Sequence, residues 1–194
     1  DCAGLADAAL MAKDIPDLDL CHPWGIDAAH GIEIAQRCEA AARDTDERIS
    51  NSEGATLSSH QGLRVYGNSH GFIAGYPSTR HSLSCSVIAG RDEHMQRDYW
   101  YSVARRHEDL EAAEHIGRMA AERTLRRLDG RKLGTRQVPV IFAAEIATGL
   151  FRSLVGAVRG SSLYRKSTRM EARWGAAGVG GRSSRTGAVL RRGA

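Results

Sequence analysis

Hydrophobic and polar positions change rhythm several times along the chain. Residues 1–27 keep no period of 2 or 3.6; Asp14, Asp17 and Asp19 surround Pro16, and His22-Pro23 follows. Residues before proline avoid helical dihedrals, so an extended, irregular segment is expected here. Asp27 is a candidate N-cap for a helix over 28–44. On a helical wheel Ile34, Ala35, Cys38, Ala41 and Ala42 share one side, with Glu33, Arg37 and Asp44 opposite. From Arg48 to Arg105 the period drops to two. Leu83, Cys85 and Val87 alternate with Ser82, Ser84 and Ser86; Phe72, Ala74 and Tyr76 form a second alternating run, and Tyr99, Tyr101 and Val103 a third. Turn-forming residues recur between them at Asn51-Ser52-Glu53-Gly54, Gln61-Gly62, Gly67-Asn68, Gly75 and Gly90. This pattern predicts an antiparallel meander of about four or five strands with one packed face.

Helical period returns over 109–128, where Leu110, Ala113, Gly117, Ala120, Ala121, Thr124 and Leu128 align and Asp129-Gly130 supplies a stop. Glu114→Arg118 and Glu122→Arg126 are spaced to pair along the exposed side. A short strand is expected over 138–142, at an edge because Pro139 has no N–H to donate. A second helix over 144–158 follows, with Ala147, Leu150, Phe151, Leu154 and Val158 on its apolar side. The fold class is therefore α+β: an antiparallel β-meander with flanking helices.

Composition changes the picture mainly at the C-terminus. The 194 residues are 42% hydrophobic and 26% charged, as in a globular protein, and no apolar run is long enough to span a bilayer. The net charge is +4, but residues 169–194 hold six arginines and one acid, Glu171, so the remainder is near neutral. That tail is rich in Arg, Gly and Ala, has no period, and is expected to be disordered. Three portions follow: an irregular segment 1–27, a central α+β portion 28–168, and the tail 169–194. The basic tail supports a nucleic-acid-binding module as an alternative function. Cys2, Cys21, Cys38 and Cys85 form no C-x-x-C pair. With no readable signal segment, reduced thiols in a cytoplasmic protein are expected, with Cys38 and Cys85 packed as small hydrophobes.

Little else in the sequence points to chemistry. Gly67-Asn68-Ser69-His70-Gly71 matches G-x-S-x-G, but a nucleophilic Ser69 needs a helix after it. The strand-like Phe72-Ile73-Ala74-Gly75-Tyr76 that follows predicts a hairpin turn instead. His60, His70, His81 and Cys85 invite a metal site. His81 and Cys85, four residues apart on one strand face, would have Cα atoms about 13 Å apart, too far to share one zinc. Hydrogen-bonded or solvated strand histidines are the expected alternative.

Specific strings carry further. Ile49-Ser50-Asn51-Ser52-Glu53-Gly54, Val65-Tyr66-Gly67-Asn68-Ser69-His70-Gly71-Phe72 and Ser78-Thr79-Arg80-His81-Ser82-Leu83-Ser84-Cys85 resemble segments of the TldD/PmbA metalloprotease family. Met95-Gln96-Arg97-Asp98-Tyr99, Arg131-Lys132-Leu133, Val138-Pro139-Val140-Ile141-Phe142-Ala143 and Ser162-Leu163-Tyr164-Arg165-Lys166-Ser167-Thr168 follow in the family's order. The likeness runs over 1–168 and is strongest to the PmbA (TldE) branch. It implies a fragment of a larger TldD/PmbA-type fold, in a cytoplasmic bacterial zinc peptidase of two subunit types acting on unfolded peptides. In that family the TldD-type subunit carries an H-E-x-x-x-H zinc motif. Anchored on Arg165-Lys166-Ser167-Thr168, the motif falls on Arg152-Ser153-Leu154-Val155-Gly156-Ala157. The resemblance therefore implies no catalytic residue, metal ligand or cofactor on this chain. Zinc is expected on a TldD-like partner, and the chain's role is expected in assembly and substrate access. Tyr164, Arg165 and Lys166 are the candidate contacts to peptide or partner; neither a membrane nor a nucleic acid is implied. Family chains are considerably longer, and the likeness ends at Thr168, so a tail read out of frame is a further expectation.

Overall fold

The computed structural model describes Leu5, residues 7–167, and the short stretches 183–184 and 187–189. The chain divides into two compact units, Asp1–Arg131 and Lys132–Ala194; each is described by itself.

The first unit is built on three antiparallel strands in the order β1-β2-β3. They are β1 (Ile49–Gly67), β2 (Ile73–Ala89) and β3 (Gln96–Ala104). Two helices, α1 (Ala28–Arg43) and α2 (Ala113–Leu125), pack on the sheet. α1 begins where a cap stands ready: the Asp27 carboxylate accepts a hydrogen bond from the His30 N–H at 2.8 Å, satisfying one of the donors that a helix start leaves open. On β2 the odd positions Leu83, Cys85, Val87 and Ala89 are buried, while the serines between them are not. They meet Cys38 and Ala42 of α1 and Ala113, Ile116, Ala120 and Ala121 of α2 in one core. Burial of a side chain such as Leu83 or Ile116 is worth about 1.5–3 kcal/mol. The helix residues facing this core are mostly small, so the backbones come close. A Cβ at Gly117 would lie 2.1 Å from the Cys38 carbonyl oxygen.

The α+β expectation holds, with three strands where four or five were expected. The glycines that read as turns lie inside strands. Asn51-Ser52-Glu53-Gly54 is an irregularity in β1, where the register shifts between Ser52 and Gly54 and Gly54 takes φ +97°. An isolated glycine in a strand marks a bulge as readily as a turn. Gly62 and Gly75 lie within β1 and β2, and at Gly75 a Cβ would come 2.8 Å from the Arg64 carbonyl oxygen. The expected helix over 109–128 is shorter. A 3-10 turn at His107–Asp109 precedes it, and the left-handed residue after it is Asp129, at φ 59°, with Gly130 on ordinary backbone; aspartate tolerates that region better than most residues. Glu114 lies 3.3 Å from Arg37 of α1, a tertiary contact in place of the expected pairing with Arg118, whereas Glu122 and Arg126 do pair at 3.4 Å.

The irregular N-terminal segment is fastened to the sheet by buried polar groups. The Thr79 N–H donates to the Leu20 carbonyl at 2.9 Å. The Thr79 hydroxyl accepts from the His22 N–H at 2.9 Å and donates to the Arg105 carbonyl at 2.8 Å.

In the second unit β4 (Ile141–Phe142) pairs antiparallel with β6 (Gly187–Val189), which also pairs with β5 (Ser183–Ser184). The strand expected over 138–142 forms only at its last two positions. α3 (Ala144–Val158) matches the expected 144–158, and α4 (Gly160–Tyr164) follows after a break at Arg159, whose backbone is extended. Apart from β5 and β6, the expectation of disorder over 169–194 falls outside the described residues.

Candidate functional site

The residues aligned with the family's zinc motif lie on α3. Its broad apolar side makes the helix, and Ala147 is its buried residue. Arg152 and Ser153 are exposed and Ala157 is half-buried. The Ser153 hydroxyl donates to the Gly149 carbonyl at 2.9 Å, one turn back. Zn2+ takes thiolate, imidazole or carboxylate ligands. A guanidinium, a hydroxyl turned onto its own helix and a methyl group do not fit that ion.

Tyr164, Arg165 and Lys166 form the end of α4 and the turn beyond it. Tyr164 is 90% exposed. The Arg165 N–H closes on the Ser161 carbonyl at 3.1 Å, and Lys166 turns the chain at φ 52°. The Ser162 hydroxyl ties this turn to the end of α3 through the Gly156 carbonyl at 2.9 Å. The short helix thus holds an aromatic ring and two cations outward.

In the first unit the structure separates the candidates that shared a stretch of sequence. Ser69 lies in the tight turn between β1 and β2. There the Asn68 side-chain oxygen accepts from the His70 and Phe72 N–H groups, and Gly71 takes φ +80°. A strand follows it, so the hairpin reading holds. His70 lies in that turn, and His60 is an exposed residue of β1 opposite Arg80. His81 is buried on β2: Nδ1 meets the Ser59 hydroxyl at 3.0 Å and Nε2 the His22 carbonyl at 3.0 Å. The Trp24 ring stands edge-on to it at 5.5 Å and stacks on His107 at 4.7 Å. His81 is a structural clamp between the sheet and the N-terminal segment, which its place in a serine-rich strand gave no means of foreseeing. Among the described residues no three His, Cys, Asp or Glu side chains converge as a metal site would need. Cys38 and Cys85 are both buried, as expected. A hydrogen bond to Cys85, and then burial, push the Cys38 thiol well above its ordinary pKa, which keeps it protonated and unreactive.

Two features went unnoticed in the sequence. Beneath the bulge, Glu53 joins Arg97 at 2.8 Å and accepts from the Ser86 hydroxyl at 2.7 Å, and together these hold its carboxyl below the usual range. Beside the outer edge of β1 runs a groove of about 420 Å3, walled by Ile26, Ala28, Gly31, Ile32 and Ala35 on one side and by Ala55 and Leu57 on the other. Ile32 is the signal that could have found it: a large apolar residue off the buried stripe of α1, 57% exposed.

Comparison with known proteins places this geometry. The pattern of the PmbA/TldA metallopeptidase central domain matches residues 21–128, nearly all of the sheet and both helices packed on it. The chain is 54% identical over 167 residues to the Metalloprotease PmbA of Escherichia coli O157:H7, and 48% identical over 168 residues to the Metalloprotease PmbA homolog of Haemophilus influenzae. These alignments cover 86% and 87% of this chain, which spans 37% of the length of each relative. Among solved structures, a Bacteroides thetaiotaomicron protein described as a candidate modulator of DNA gyrase superposes with a TM-score of 0.79 at 27% identity, covering 87% of this chain and 39% of its own. TldE from Thermococcus kodakarensis shares the fold, with a TM-score of 0.60 at 18% identity over 75% of this chain and 33% of its own. Among the described residues no helix is long and apolar enough to cross a membrane. A central-domain match over more than half of the chain, joined to a PmbA relative of high identity, shows that the chain belongs to the PmbA/TldD metallopeptidase family.

Proposed function

We propose that this chain is a PmbA (TldE)-type subunit of a cytoplasmic zinc peptidase, that it holds no zinc itself, and that it assists a TldD-like partner in handling unfolded peptides. The observation that carries this reading is the side-chain set at the place of the family's zinc motif: Arg152, Ser153 and Ala157. A peptidase zinc needs two or three anionic or imidazole ligands and a base for its water. The guanidinium of Arg152 repels the ion, and neither Ser153 nor Ala157 supplies a ligand or a base. Family membership favours proteolysis as the activity of the assembly, and the missing ligands place the chemistry on the partner. Exposed Tyr164, Arg165 and Lys166 are the proposed contact points, because an outward aromatic ring flanked by two cations suits a peptide backbone or an acidic partner surface.

The test measures bound zinc and cleavage of an unfolded peptide for this chain alone, for a TldD-like subunit alone, and for the mixture. We expect no stoichiometric zinc and no cleavage from this chain, and higher cleavage from the mixture than from the TldD-like subunit. Stoichiometric zinc with zinc-dependent cleavage by this chain alone would overturn the reading.

A further inference from the structure

We infer that the outer edge of β1 and the overhanging face of α1 form a site that takes up an extended, uncharged peptide segment as an added strand. The inference deepens the peptide-handling part of the proposed function and rests on that reading only for where the peptide comes from; binding itself needs no partner and no zinc.

β1 is an edge strand of 19 residues. Every second residue turns its amide N–H and C=O away from β2, and beyond the bulge at Gly54 the register runs without a break to Gly67. Natural edges of this length are usually blunted by lysine, proline, inward charges or bulges. From Ala55 to Leu63 this edge has no Asp, Glu, Lys, Arg or Pro, and among the described residues no hydrogen bond from another segment caps it.

The groove beside that edge is shaped for a single strand. Its floor is Ala55 and Leu57, and its far wall is Gly31, Ile32 and Ala35 of α1. Gly31 matters because the helix stands close here: a Cβ there would already touch the Leu57 side chain at 3.7 Å. A strand added at the usual spacing of about 4.8 Å from β1 would run beneath α1. Alternate side chains would then enter the groove, and the others would face solvent. This is the geometry of strand addition between a sheet edge and a helix, in which main-chain hydrogen bonds supply affinity and alternate side chains supply selectivity. The 420 Å3 available suits small or medium apolar side chains. The only charged group on the walls, Asp27, already accepts from the His30 N–H, so a neutral segment suits them. A second copy of the chain suits the site less well. Pairing two β1 edges about a twofold axis would bring each copy's α1 over the same sheet face, into the space the other needs.

The probe is a fluorescent eight-residue peptide alternating valine and threonine, titrated against the purified chain, with hydrogen exchange followed at residues 55–63. Saturable binding is expected, with slowed exchange at alternate amides of β1 and none at β3. N-methylation of alternate peptide amides should weaken binding at least tenfold. Ile32→Glu, at an exposed position that the core does not need, should weaken it severalfold without changing thermal stability. Equal binding of the N-methylated peptide, protection at β3 instead of β1, or no saturation at millimolar peptide would each overturn the inference. So would concentration-dependent dimerisation that protects β1 without peptide, which would give the edge to a second copy. A failure here would leave the zinc measurements of the proposed function untouched.

Discussion

Gly117 is where the packing of this fold can be broken with one methyl group. Substituting Gly117→Ala places a Cβ 2.1 Å from the Cys38 carbonyl oxygen, 3.0 Å from the Ala42 nitrogen and 3.1 Å from the Cys38 carbonyl carbon. All three are backbone atoms of α1, so no rotamer change relieves the clash. An ordinary carbon–oxygen contact is about 3.3–3.6 Å, so α1 must retreat by roughly 1 Å. Cys38 and Ala42 are fully buried on the retreating side, and their contacts with α2 and β2 would be lost. Overpacking of this kind typically costs about 1–3 kcal/mol. The gain from replacing glycine inside a helix, about 0.5–1 kcal/mol, offsets part of it. The net expectation is a loss of about 1–2 kcal/mol, or roughly 2–8 °C in the melting temperature. Thermal and urea unfolding followed by circular dichroism measure it. Gly149→Ala is the control: that exposed glycine of α3 has nothing within 4 Å of its would-be Cβ, so only the helix-propensity gain applies. A Gly117→Ala variant as stable as the parent would refute the close crossing of α1 and α2 and the geometry of the core built around it.

Thr79→Val keeps the shape of a buried side chain but removes the acceptor for the His22 N–H and the donor for the Arg105 carbonyl. A loss of about 1–3 kcal/mol is expected, with faster amide exchange at His22; unchanged exchange there would show that Thr79 does not hold the N-terminal segment. Asp46 is held at a pKa of about 2 by the side-chain and backbone hydrogen bonds of Arg48. Because the folded value lies below the unfolded value of about 4, this pair stabilises the fold fully above pH 4. The contribution fades as pH falls towards 2. A carboxyl NMR titration should show the low midpoint and Arg48→Ala should raise it; an ordinary midpoint in the parent would contradict the pairing.

The local elements were legible because each obeys a period. The cap at Asp27, the apolar stripe with Cys38 and Ala42, the alternation of Leu83, Cys85 and Val87, and the span 144–158 are all local properties of the chain. The zinc-motif position was legible too, since it depends only on which residues stand at 152, 153 and 157. Strand count was not, because a glycine at 54, 62 or 75 bends a strand, widens it or ends it depending on what lies across the ladder. Gly117 read as one small residue among several, and only the path of α1 turned it into the point of closest approach. His81 read as one of several strand histidines until β2 brought it under Ser59 and against the segment at His22. The groove beside β1 belongs to no single stretch of sequence: one wall is a helix face and the other a strand edge, separated by the loop between them. Periodicity and residue chemistry act over a few neighbours, so the sequence by itself determined the elements and the family. Register, crossing points and edges depend on where distant backbones meet, and those only the tertiary structure decided.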